Sequence, residues 1–313
     1  MSAVATTVAP IFALIALGFA AARFGWLGQS AGKGVAEFTF LVAMPALLFR
    51  TIVGSNMGDA APLSLLSSYF ATVATIWVLA TLASLLVLRR PAAEGAVFAM
   101  TASYGNIVLL GIPIALGAYG ERAAPTAAII VSLHVAALWL AACIHLALAD
   151  RGRSSTSGGL LRSIVTEFAR NPIVVAIVLA ALWRATGLGL HVTIDKTMSL
   201  LTQASVPCAL FAVGFTLAGF RIAGETAALA ASSILKNLAM PLLAWIFAVH
   251  VFELPRLPAA VIILFAAMPT GTATFLFALQ NRLAVETTSA SVALSTALSM
   301  LTLPIVLILL GRP

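Results

Sequence analysis

Charge is what this sequence has least of. Of its 313 residues, 9% are Asp, Glu, Lys or Arg, against about 25% in a soluble domain. That excludes an ordinary soluble globular protein of this length. Cysteine is scarce as well. Cys143 and Cys208 are the only two, each stands inside an apolar run, and there is no CxxC pair. A disulfide framework and a thiolate metal centre are excluded, and both residues read as small core side chains. The sequence also lacks HExxH and any pair of acids within an apolar run. Without a nucleophile and base, or paired carboxylates, an enzyme is not expected. No catalytic residue, metal ligand or cofactor is expected. The net charge of +7 is not gathered into a basic stripe, so nucleic acid is not an expected partner.

What the sequence has is apolar length: 62% of it is hydrophobic. Ten apolar segments run roughly over 4–22, 35–54, 63–88, 94–118, 124–149, 167–188, 195–219, 226–250, 258–281 and 287–311. Most are long enough to cross a bilayer with some tilt. The reading is an all-α polytopic membrane protein. The first segment lacks a positive leading region, so it reads as a span and not as a signal peptide. The longest polar connection, 150–163 (DRGRSSTSGGLLRS), is Gly/Ser-rich and basic, and reads as a flexible cytoplasmic linker. It leaves five segments on either side. With the N-terminus outside, ten basic residues fall within (Arg23, Lys33, Arg89, Arg90, Arg151, Arg153, Arg162, Arg170, Arg221, Arg282). Six fall without (Arg50, Arg122, Arg184, Lys196, Arg256, Arg312), leaving Lys236 aside. Positive charge favours the cytoplasmic side, so both termini are expected outside, in the periplasm.

The two halves resemble each other. Pro10 opens PIFALIAL and Pro172 opens PIVVAIVL, 162 residues apart; Pro45 in VAMPALLF and Pro207 in ASVPCALF have the same spacing. Segment 4 carries Pro113 and segment 9 carries Pro269, 156 residues apart. Two copies of a five-span unit must lie in opposite orientations, as in inverted-repeat secondary transporters. Residues 1–149 and 164–313 are the expected halves.

Segments 4 and 9 are interrupted. Residues 103–113 read SYGNIVLLGIP, and 266–275 read AAMPTGTATF. Pro113 removes a hydrogen bond to the Leu109 carbonyl, while Gly105 and Gly111 let the chain leave helical geometry at low cost. Pro269 and Gly271 repeat the device, beside the hydroxyls of Thr270, Thr272 and Thr274. A break at membrane depth is tolerated only inside the protein or beside a cavity. Two antiparallel broken helices that cross bring half-helix N-termini together, which suits a carboxylate. Asn106 can donate to the same anion. Ser103 joins this candidate site, with Pro45, Ser205 and Pro207 on its far side. A kink that only shapes packing is the alternative.

Ionisable groups inside a membrane are functional candidates. Lys236 stands about eleven residues into segment 8, near mid-membrane by helical rise. It either contacts substrate or ties carbonyls freed at the crossing. No Asp or Glu lies deep in any segment, so a carboxylate-built cation site is not expected. His134, at similar depth in segment 5, is the one proton handle; a packed, hydrogen-bonded histidine is the plainer reading.

GNIVLLGIP (105–113) followed by YG is similar to the fourth helix of the auxin efflux carrier family, which includes plant auxin exporters and bacterial carriers of malonate and other organic acids. ARNPIVVAIVLA (169–180), PCALFAVGFTLA (207–218), KNLAMPLLAW (236–245) and MPTGTATFLFAL (268–279) extend the resemblance over nearly the whole chain. It implies ten transmembrane helices in two inverted repeats, with a fold like that of bile-acid symporters and sodium/proton antiporters. It implies that helices 4 and 9 cross at Pro113 and Pro269. Helices 1, 2, 6 and 7 would form a scaffold, and helices 3–5 and 8–10 a mobile unit. It also implies a homodimer joined through the scaffold. The function expected is a secondary transporter in the bacterial inner membrane. It would carry a small organic anion, a malonate-like dicarboxylate or an auxin-like carboxylate, by elevator-type alternating access. An anion channel or a substrate-sensing receptor is the alternative. The sequence departs from the family at Ala273, where bacterial relatives often have Asn, and it lacks the long loop of the plant exporters.

Overall fold

The computed structural model describes residues 2–54, 62–149, 172–219 and 225–311. The 150–163 linker lies outside the described residues. These residues form twelve helices: α1 (Ser2–Arg23), α2 (Gln29–Gly54), α3 (Pro62–Val87), α4 (Ala92–Ser103), α5 (Ile107–Tyr119), α6 (Glu121–Ala149), α7 (Pro172–Ala185), α8 (Val192–Leu217), α9 (Thr226–Val251), α10 (Arg256–Ala266), α11 (Ala273–Asn281) and α12 (Val285–Leu310). Ten apolar segments become twelve helices because segments 4 and 9 each fold as two. Six helices, α2, α3, α6, α8, α9 and α12, are long and apolar enough to span a membrane. Outward faces are apolar too: Val78, Leu82 and Leu86 on α3 and Leu301, Ile305 and Leu309 on α12 are exposed. Such stripes fit lipid and not water. The molecule is a polytopic membrane protein.

Proline shapes three of the helices in the same way. In α2, α5 and α9 a five-residue π-turn (Thr39–Ala43, Ile107–Gly111, Leu235–Ala239) ends two residues before Pro45, Pro113 and Pro241. The N–H of Met44, Ile112 and Met240 reaches back five residues, to Thr39, Ile107 and Leu235. Proline offers no N–H to the carbonyl four residues before it and crowds that carbonyl. Widening the preceding turn relieves the clash without ending the helix. Pro207 lies inside α8, which has no π-turn.

The turns after α3 and α9 share a pattern 164 residues apart. Leu88 N–H bonds Ala83 O and Arg90 N–H bonds Ser84 O; Phe252 N–H bonds Phe247 O and Leu254 N–H bonds Ala248 O. Arg89 and Glu253 both take the left-handed conformation (φ 51° and 45°). Pro91 and Pro255 then lead into α4 and α10.

α1 lies along α8, α8 against α2, and α2 along α7. The first of these contacts is backbone to backbone. A Cβ on Gly18 would fall 2.1 Å from the Phe211 carbonyl oxygen, and one on Gly214 would fall 1.9 Å from that of Ile15. Helices without a hydrophobic drive between them associate through such small residues. The remaining helices gather around α4 and α10, whose residues Ala96–Met100 and Val261–Phe265 are buried on all sides. These central stretches, AVFAM and VIILF, are apolar all round because neither has an exposed face.

Candidate functional site

After α4 and α10 each chain runs extended for a few residues, and the two stretches pair antiparallel. Gly105 and Thr270 form the bridge. Asn106 N–H donates to the Pro269 carbonyl (2.8 Å), and Gly271 N–H donates to the Tyr104 carbonyl (2.9 Å). Backbone groups released by each break are thus satisfied by the other. Close approach requires the glycines. A Cβ on Gly271 would stand 2.7 Å from a ring carbon of Tyr104, and one on Gly105 3.2 Å from the Phe265 carbonyl oxygen.

The chains therefore cross at Gly105 and Thr270, which corrects the expectation of a crossing at Pro113. Pro113 is buried in the first turn of the α-helical part of α5, eight residues beyond the bridge. The missing donor at Pro113 is absorbed by the π-turn, so it widens the helix and does not break it. The break comes from Tyr104, Gly105 and Asn106, which leave helical geometry. Pro269 does stand at the crossing, through its carbonyl. The bridge pairs residues 165 apart, close to the 162 of the first two proline pairs, whereas the 156 of Pro113 and Pro269 matches no structural correspondence.

The expected site residues divide into two groups. Ser103, Thr270 and Thr274 are buried, with hydroxyls committed to backbone: Ser103 donates to Ala99 O (2.7 Å), Thr270 to Thr101 O (3.1 Å) and Thr274 to Gly271 O (2.8 Å). They hold the crossing and present no free hydroxyl proton to a ligand. Asn106 and Thr272 differ. Both are half-buried, and the side chain of neither bonds another described residue. Asn106 O also accepts from Leu110 and Gly111, which starts α5 and leaves the first N–H groups of that half-helix without an intrahelical acceptor. An uncommitted amide beside a helix N-terminus can hold a carboxylate.

Lys236, on the π-turn of α9, is wholly buried. Its ammonium donates to the Ala266 carbonyl at 2.8 Å and contacts Met240 Sδ at 2.9 Å. Ala266 ends α10, so the cation caps the negative end of a half-helix dipole. Gly105 adjoins from the other side: a Cβ there would stand 3.4 Å from Nζ. Of the two roles read from the sequence, the crossing-support role has the contacts. His134, on α6, is buried beneath the same crossing. Tyr69 Oη lies 2.9 Å from its Nδ1, and the Tyr104 ring packs 4.5 Å away, centroid to centroid. It is packed and hydrogen-bonded, the plainer of its two readings.

Sequence reasoning missed one network. Thr270 N–H donates to Ser295 Oγ, and Ser295 Oγ donates to Asn237 Oδ1, each at 3.0 Å. The break after α10 is thereby tied to α12 and α9. Asn237 is polar inside an apolar segment and adjoins Lys236, a signal that was present; Ser295 offered none. On the other side, Ser205 is buried in α8 with its hydroxyl on Thr202 O (2.7 Å). Pro45 and Pro207 are half-buried within their helices. α8 borders the crossing by packing on the π-turn of α5, but no hydrogen bond joins these three residues to Asn106.

Interlocked half-helices with an uncommitted amide at their junction, inside a multi-pass apolar bundle, define a polytopic membrane protein with two interrupted helices at its centre. Residues 3–307 match the family described as membrane transport protein. The chain belongs to this family, the auxin efflux carrier group that its motifs resemble, and its members are transporters and not enzymes. It is 26% identical over 313 residues to the "Putative malonate transporter" of Rhizobium meliloti (strain 1021), covering 96% of this chain and 94% of that one. It is 26% identical over 302 residues to an uncharacterized transporter of Methanothermobacter thermautotrophicus, covering 96% of each. An uncharacterized transporter of Escherichia coli (strain K12) is 25% identical over 301 residues, covering 95% of this chain and 94% of that one.

Proposed function

We propose that this chain is a secondary transporter of small organic anions, with a malonate-like dicarboxylate as the first candidate. The observation that carries the reading is Asn106: a half-buried amide with no side-chain hydrogen bond to another described residue, at the start of half-helix α5, where two interrupted helices cross. Thr272 stands at the matching start of α11. The dicarboxylate is supported by the name of the Rhizobium meliloti relative and by the absence, among the described residues, of any buried carboxylate.

Two inverted halves of five spans are supported by the turns 164 residues apart after α3 and α9, and by the antiparallel bridge of the two breaks. An elevator motion follows. A scaffold of α1, α2, α7 and α8 would stay fixed, while α3–α6 and α9–α12 slide past it and carry the crossing. The grouping is supported by the packing of α1 and α2 with α8 and α7. A homodimer through the scaffold, residence in a bacterial inner membrane and termini outside belong to the same reading.

The test is counterflow of labelled malonate in proteoliposomes, combined with a cysteine cross-link between α8 and the π-turn of α5. Saturable counterflow that stops on cross-linking is the expected result. Unitary currents would identify a channel, and full flux after complete cross-linking would sink the elevator.

A further inference from the structure

At the end of the fold where α2 and α7 finish and α6 and α8 begin, a cleft of about 1000 Å³ opens to the surface. Three arginines (Arg50, Arg122 and Arg184) and two acids (Glu121 and Asp195) line it. Arg50 is the centre. Its Nε donates to Asp195 Oδ1 at 2.7 Å, and a second nitrogen lies 3.4 Å from Oδ2. A third nitrogen lies 3.9 Å from Glu121 Oε1. One guanidinium therefore holds two carboxylates of the protein itself.

The two arms differ. Asp195 is held in the forked, two-point geometry that suits a guanidinium. Glu121 is at the limit of an ion pair, and its side chain is 82% exposed. Water and salt weaken such a contact, so a ligand carboxylate can displace it. The next residue, Arg122, has no carboxylate partner among the described residues.

We propose that this cleft is a docking subsite for small dicarboxylates, which replace Glu121 on Arg50 with one carboxylate and engage Arg122 with the other. The fit is chemical. The wall already binds carboxylates, one of them weakly, and a second guanidinium adjoins the weak arm. Docking also has a mechanical consequence, resting on the transport reading above. Glu121 begins α6 and Arg50 belongs to α2, so docking removes one contact between the group proposed to move and the group proposed to stay.

The test uses the purified full-length protein carrying Asn106→Ala, to silence the crossing, with malonate as probe and malonamide as its uncharged analogue. Calorimetry is expected to find saturable malonate binding that weakens steeply with added salt, and none for malonamide. Adding Glu121→Gln removes the competing carboxylate and tightens malonate about threefold, while Arg122→Gln weakens it about threefold, the scale of an exposed charge contact. No saturable malonate binding in the Asn106→Ala protein overturns the proposal. So does binding that either added substitution leaves unchanged. Cleft binding without malonate flux in the wild type would remove the transport reading and keep the cleft; flux without cleft binding would do the reverse.

Discussion

The ammonium of Lys236 lies 2.8 Å from the carbonyl oxygen of Ala266, thirty residues further along the chain. Both groups are buried at the end of a half-helix. A cation deep in an apolar bundle is costly, and a carbonyl at a helix terminus is a partial negative charge lacking a donor. Each compensates the other.

Lys236→Gln is therefore expected to destabilise the protein by about 1–3 kcal/mol, the scale of a buried group left unsatisfied, and to abolish flux. Lys236→Arg should not rescue it, because a planar guanidinium is bulkier than the ammonium it replaces. Thermal unfolding in detergent, beside malonate counterflow, checks both. A glutamine variant with wild-type stability and flux would show that the contact contributes nothing.

Gly271→Ala places a methyl 2.7 Å from the Tyr104 ring. Overpacking of this kind costs about 1–3 kcal/mol. Trimming the ring with Tyr104→Leu should recover part of the loss in the double variant. A double variant no more stable than Gly271→Ala alone would place the strain elsewhere.

Gly214→Ala drives a Cβ into the Ile15 carbonyl, a backbone atom that cannot rotate away. α1 and α8 must then separate, and the yield of folded protein should fall sharply. Gly34, in α2, has nothing within 4 Å of its Cβ position, so Gly34→Ala should be neutral or stabilise by about 0.5–1 kcal/mol. Size-exclusion profiles and melting temperatures of the pair make the comparison, and equal behaviour would contradict the packing described.

Asn106→Ala removes a side chain that bonds no other described residue. Stability should stay within about 0.5 kcal/mol of wild type, while malonate counterflow is lost. If flux persists within twofold, Asn106 has no part in the site.

Much of this was legible in the residues. Hydropathy gave ten apolar segments, and Gly and Pro marked the two that break. Asn106 and Lys236 stood out because polar groups are conspicuous in a chain with 9% charge. Proline is the louder signal, and at Pro113 it does not mark the crossing. At Pro113 a π-turn absorbs the missing donor, whereas the quieter Tyr104, Gly105 and Asn106 leave the helix.

Composition and periodicity determined the solvent, the spans and which segments could not remain single helices, since these depend on local geometry and transfer from water. Only the tertiary structure decided what each polar group would bond. A threonine hydroxyl bonds a carbonyl in its own turn, as in Thr296, or one 169 residues away, as in Thr270. Ser295 meets Asn237 and Lys236 meets Ala266 because the packing of separate helices brings these polar atoms within about 3 Å of each other. Hydrogen bonds need that approach, and the packing of distant segments alone supplies it.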